Sequence, residues 1–82
     1  PQIRYCYEKE LVRSPGIFGK VSTEFIISAQ GSVSTARIDQ TTLDNAAVEQ
    51  CITQKIRTWR FPKPKGGGIV VVKYPFVLKQ SG

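Results

Sequence analysis

The stretch KVSTEFIISAQGSVSTARID, residues 20–39, decides the architecture. Val21, Thr23, Phe25 and Ile27 alternate with Lys20, Ser22 and Glu24, with Ile26 the exception, so one face is apolar and the other mostly polar. A period of two marks a half-buried strand. Ala29-Gln30-Gly31-Ser32 has the glycine and polar content of a hairpin loop. A second strand is expected from about Ser32 to Asp39, where Val33 is out of phase with Ala36 and Ile38 and predicts a bulge near Thr35.

Working toward the C-terminus, Thr41 or Thr42 is the expected cap of a helix, with Asp44 in its first turn, where the helix dipole favours an anion. That helix is expected to run to about Arg60 on an apolar stripe of Leu43, Ala47, Val48, Cys51, Ile52, Ile56 and Trp59. The run from Phe61 to Gly68, with Pro62, Pro64 and three glycines, breaks it. A strand from Ile69 to Leu78 follows, with Val70, Val72, Tyr74, Phe76 and Leu78 on one side and Ile69, Val71, Lys73, Pro75 and Val77 on the other. Pro75 has no N–H to give a ladder, which favours an edge position.

Toward the N-terminus, Ile3, Cys6, Tyr7 and Leu11 share one helical arc over residues 2–13, and Ser14-Pro15-Gly16 ends it. The order is α-β-β-α-β. The expected fold is a single α+β domain over residues 1–82, a three-stranded antiparallel sheet with two helices packed on one face. Its other face and at least one edge stay open.

A chain of 82 residues buries only roughly 60% of the surface it exposes when unfolded, so its core is thin. With no His and only two Cys, it lacks the side chains for a four-ligand zinc site, and a Ser or Cys nucleophile lacks its usual base. The reading is a binding domain with no catalytic residues, metal or cofactor. No apolar run approaches the length of a membrane span. The chain opens on Pro1 inside a helical pattern without an initiator Met, and reads as a piece of a longer protein.

The net charge of +6 is uneven. Residues 1–49 carry five basic against six acidic side chains, whereas residues 50–82 carry seven basic and no acidic ones. Such a field speeds encounter with an acidic partner without specifying a fold. Arg57, Arg60, Lys63 and Lys65 surround Trp59 and Phe61, a mixture also found in nucleic-acid binders. Trp59 on the helix stripe is more simply a core residue, so these cations are assigned as a basic steering patch and nucleic acid is not expected as a partner. A small basic nucleic-acid-binding module is the alternative from another class. Gly66-Gly67-Gly68 lacks a following Lys-Ser or Lys-Thr and precedes a strand, so it reads as a connector and not a phosphate loop.

Cys6 and Cys51 each fall on the apolar side of a helix. Two readings stand at this point, a disulfide or a pair of reduced buried thiols.

The ordered set Gly19-x-Val21-x-x-x-Phe25-x-Ile27, Gly31-x-Val33, Trp59-Arg60-Phe61 with Pro62 or Pro64 beyond, and Gly68-Ile69-Val70-Val71-Val72 resembles the C-terminal domain of TonB-family energy transducers. Tyr5-Cys6-Tyr7-Glu8, Glu49-Gln50-Cys51, Trp59-Arg60-Phe61-Pro62 and Gly66-Gly67-Gly68-Ile69-Val70-Val71-Val72 look like the branch found in myxobacterial gliding-motility proteins of the AgmX and PglI type. The resemblance implies a soluble periplasmic domain of an inner-membrane-anchored protein. Its implied partners are an outer-membrane or periplasmic protein segment and, through the missing N-terminal part, a proton-driven inner-membrane motor complex. It favours the Cys6 to Cys51 disulfide. It also places the partner-binding edge on Ile69, Val70, Val71, Val72, Lys73 and Tyr74, by β-strand addition. A TonB protein energising outer-membrane nutrient transporters is the alternative within the family, and both monomer and homodimer are open.

Overall fold

The computed structural model describes residues 2–80, so residues 1, 81 and 82 of the expected domain lie outside the described residues. The elements are α1 (Gln2–Glu10), β1 (Gly19–Ile27), β2 (Val33–Thr41), α2 (Ala46–Arg57), a short 3-10 turn (Lys65–Gly67) and β3 (Val70–Leu78). All three strands pair antiparallel in one sheet of order β2-β1-β3. The α-β-β-α-β order and the sheet are those read from the sequence.

The burial pattern of β1 alternates as its sequence does, with Val21, Thr23, Phe25 and Ile27 inward. The bulge expected near Thr35 lies one residue away, at Ser34, where Ile26 faces Thr35 and Ile27 faces Val33. A second irregularity at Asp39, between the pairs Ser22 with Gln40 and Thr23 with Ile38, had no sequence signal.

Both helices are shorter than their apolar patterns. α1 stops at Glu10 because the next amides turn tightly, Arg13 N–H donating to Glu10 O at 3.0 Å. α2 starts at neither Thr41 nor Thr42. The Thr42 amide donates to Lys20 O at 2.8 Å while its hydroxyl accepts from Lys20 N–H at 2.8 Å, so this threonine prolongs the β1–β2 ladder. Asp44, with φ 55°, sits in the turn ahead of the helix. The cap is Asn45, whose Oδ1 accepts from Val48 N–H at 3.0 Å while Glu49 reaches back to the Asn45 amide at 3.2 Å. Asn45 Nδ2 also donates to Glu10 Oε2 at 3.1 Å, tying this cap to the end of α1. Replacing Asn45→Ala is expected to cost about 1 kcal/mol in a urea melt. At the other end Thr58 caps α2, which leaves Trp59 outside the helix. Ala47, expected on the stripe, is exposed, and Leu43 is buried from the turn before α2.

α2 packs over β2 and, less, over β1, and α1 docks on α2. Tyr7, Val21, Val48, Ile52 and Ile56 form the centre of the core, and the buried Tyr7 hydroxyl donates to Ile17 O at 2.6 Å. The disulfide between Cys6 and Cys51, with Cα atoms 5.6 Å apart, joins the two helices across their shared face. Among the described residues no helix is long and apolar enough to cross a membrane. The helical layer is offset toward β2, so β3 overhangs it.

Candidate functional site

A three-stranded sheet has two edges, and here they differ. The Thr42 bond to Lys20 O directs the backbone groups of Lys20, and by alternation those of Ser22, Glu24 and Ile26, toward β2. Those of Val21, Thr23 and Phe25 point toward β3. Opposite residues of an antiparallel pair face each other or both face away. Phe76, Tyr74 and Val72 therefore spend their backbone groups on β1, whereas Val71, Lys73, Pro75 and Val77 turn theirs outward. Thr23 Oγ1 donating to Tyr74 O at 2.9 Å agrees with this assignment. Pro75 thus has its missing N–H on the free edge, where no ladder bond with β1 is lost.

The same logic turns the Ala36 backbone groups of β2 outward, and there the carbonyl is covered by α2, Arg57 Nη2 donating to it at 3.3 Å. The start of the β2 edge is taken by the connector, with Ser32 bridging Arg60 and Phe61 N–H donating to Gly31 O at 2.8 Å. Two bulges break the rest of it. Edge strands are commonly closed by such devices. β3 has no bulge over nine residues paired in continuous register with β1, and among the described residues no helix packs along it. Among the described residues, the open edge of this sheet is β3.

Beside this edge lies an apolar groove of about 410 Å³ lined by Phe25, Trp59, Phe61, Val72, Tyr74 and Phe76. A larger hollow of about 610 Å³ continues from it past Trp59 and Phe76 toward Gln2, Ile3 and Leu78. The Phe25 ring meets Trp59 edge-on, with centroids 5.9 Å apart, and stacks on Phe61 at 6.1 Å. Trp59 is only half buried, and its Nε1–H donates to Gln2 Oε1 at 2.7 Å, which fixes the indole against the start of α1. Trp59, expected on the helix, thus stands on the connector, where it packs half-buried against the core and walls the groove. Its helical reading failed because Thr58 ends α2 first, and in the extended segment beyond, Trp59 and Phe61 share one face.

The connector is held by Gly31, where φ is +91° and an added Cβ would overlap the Phe61 carbonyl. Gly31→Ala is expected to lower stability by about 2 kcal/mol, from left-handed strain and displacement of the connector. Gly66→Ala, at φ +84° but in open space, is expected to cost under about 1 kcal/mol. Parallel urea melts followed by Trp59 fluorescence compare them.

The expected edge residues fall together as one strand, with Ile69 immediately ahead of it and Val70, Val71, Val72, Lys73 and Tyr74 within it. Of the expected basic patch, Arg57 bonds to the Ala36 carbonyl and Arg60 bridges Ser32, and Lys63 and Lys65 are exposed further along the connector leading to β3. Lys73, on the outer face of β3, stands 3.9 Å from Glu24, which also pairs with Arg37 at 2.8 Å.

No family model matches the sequence, and no curated protein matches it. Among solved structures the chain is similar to the Helicobacter pylori TonB C-terminal domain. One NMR solution structure aligns at TM-score 0.58 and 25% identity, covering 94% of this chain and 88% of that one. A second, of a longer fragment, aligns at TM-score 0.55 and 22% identity, covering 98% of this chain and 80% of that one. With the same helices and antiparallel sheet over nearly the whole chain, this is a TonB C-terminal-domain-like domain.

Proposed function

We propose that this domain binds a protein partner by accepting an extended segment as a fourth strand on the free edge of β3, using Ile69 to Tyr74. The observation that carries the reading is the contrast between the edges, β2 closed by Arg57, the connector and two bulges, and β3 regular and uncovered. Strand addition takes its affinity from main-chain hydrogen bonds, and β3 turns the backbone groups of Val71 and Lys73 outward to make them. The excess of basic residues beyond position 50, with Lys63 and Lys65 exposed ahead of β3, favours encounter with an acidic segment.

The likeness to TonB C-terminal domains supports a place in the periplasm. There the domain would belong to an inner-membrane-anchored protein and couple a proton-driven motor complex to an outer-membrane or periplasmic partner. The residues shared with the AgmX and PglI type, among them Cys6, Cys51 and the Gly66 to Val72 run, support a gliding-motility role. The Helicobacter pylori structures favour the second reading, a TonB protein serving outer-membrane transport. Deleting the gene separates the two. Lost gliding with intact nutrient uptake supports the first, and lost uptake with intact gliding supports the second. For the contact itself, titrating labelled domain with a peptide from the periplasmic face of an outer-membrane partner should shift the amides of Val71 and Lys73 first. Shifts confined to α1 and α2 would count against it.

A further inference from the structure

A second group of exposed side chains lies away from β3, in the helical layer, along the outer side of α1. Ile3, Cys6, Tyr7 and Leu11 turn to the core. The helical path runs on past Glu10, with Leu11 N–H donating to Tyr7 O at 3.2 Å and Ser14 N–H to Glu10 O at 2.9 Å. At roughly 100° per residue, Tyr5, Lys9 and Val12 stand within about 60° of one another, on the pole opposite the core. Tyr5 is 54% exposed and Val12 86%, so neither is spent on the fold.

The Nζ atoms of Lys9 and of Lys55, the latter from α2, lie 5.3 and 5.5 Å from the Tyr5 ring centroid. Two like charges drawn to one ring make a positive point that straddles both helices. The carboxylates nearest in sequence turn to other groups: Glu8 pairs with Arg4 at 3.1 Å, Glu10 accepts from Asn45 Nδ2, and Glu49 accepts from the Asn45 amide. Among the described residues no ion pair neutralises Lys9, Arg13 or Lys55. A ring, an aliphatic side chain and unneutralised cations on one exposed helix side match the boundary layer of an anionic bilayer. A single-stranded nucleic acid would need successive stacking platforms, and this side has one ring.

We propose that this side of α1, with Lys55 of α2, docks the domain on an anionic phospholipid surface. Tyr5 and Val12 enter the headgroup boundary while Lys9, Arg13 and Lys55 meet the phosphates. The contact uses no residue of β3 and stands independently of strand addition. It holds the domain reversibly at a membrane surface without spanning it.

The test is co-sedimentation of the 82-residue chain with vesicles of phosphatidylcholine alone and of phosphatidylcholine with about one third phosphatidylglycerol. Each cation near an anionic surface strengthens binding roughly fivefold, so the mixed vesicles are expected to bind the wild type about 100-fold more tightly than the neutral ones. Lys9→Gln with Lys55→Gln should weaken that binding about 25-fold. Tyr5→Ser with Val12→Ser should weaken it about tenfold. All four side chains lie outside the core, so both double variants keep the fold, which a melt of each checks. Val71→Ser with Val77→Ser, on the exposed outer face of β3, should leave binding unchanged. Equal binding to the two vesicles, or none to either, overturns the proposal, as does a loss confined to the Val71 and Val77 pair. Weakening in the lysine pair with full binding in the Tyr5 and Val12 pair also overturns it, because only diffuse attraction of a basic protein to a charged surface is then left.

Discussion

Reducing the Cys6 to Cys51 disulfide is expected to lower the stability of the domain by roughly 4 kcal/mol, the loop-closure entropy that a cross-link over about 45 residues removes from the unfolded chain. The two cysteines are 45 residues apart in sequence and join α1 to α2. A chain of this size has a total stability of only about 4–12 kcal/mol, so the loss leaves it marginal. The melting temperature should fall by roughly 15–30 °C, taking the usual conversion for small domains. α1 should loosen first, because among the described residues its main packing partner is α2 and the disulfide is its covalent tie. Thermal unfolding followed by near-ultraviolet circular dichroism, with and without reductant, measures this. Equal midpoints would show that the tie contributes little and that Tyr7 and Ile3 alone hold α1 in place.

The second large effect is on binding. Replacing Val71→Pro and Lys73→Pro together removes both outward N–H groups of the β3 edge ahead of Pro75 without touching the groups that pair with β1. Each lost main-chain bond, with the obstruction that the proline ring adds, is expected to weaken partner binding about tenfold, and the pair by about 100-fold or more. Stability should change little, because those amides have no partner in the sheet. A titration calorimetry series on the wild type, each single variant and the pair checks this. Full affinity in the double variant, with an unchanged melt, would move the binding surface away from β3.

Much of this arrangement is legible in the residues. The alternation from Val21 to Ile27 and the turn around Gly31 specify the hairpin. Pro75 marks the edge, because a proline in a central strand would lose a ladder bond. Ser34 carries the bulge that the dephasing of Val33 predicts one residue further on. The misplaced elements have a common cause, in that helix boundaries depend on which side chain reaches a backbone group first. Thr42 offered the same capping chemistry as Asn45, yet its hydroxyl and amide are taken by Lys20 across the sheet, a contact 22 residues away in sequence. Competition between a local cap and a long-range ladder is invisible to periodicity.

The groove was harder to see. Read as helical, Trp59 belongs to the stripe of Ile52 and Ile56 and to the core. Read as extended, it pairs with Phe61 and packs half-buried against the rim of the core over Phe25. The choice turns on Thr58, whose hydroxyl and amide both bond to Lys55 O, at 2.7 and 3.0 Å, and end α2. Of the four cations, Arg57 belongs to α2 and bonds to the Ala36 carbonyl, whereas Arg60, Lys63 and Lys65 follow on the connector, a division that charge counting along the sequence does not show.

The measurement that bears most directly on the open edge is amide hydrogen exchange of β3 with and without a bound partner segment. In the free domain Val71 and Lys73 should exchange fast while Val72 and Tyr74, bonded to β1, exchange slowly. With the partner bound, Val71 and Lys73 should slow markedly and the alternation along β3 should disappear. Protection arising in α1, α2 or β2, with Val71 and Lys73 still exchanging fast, would contradict strand capture at this edge.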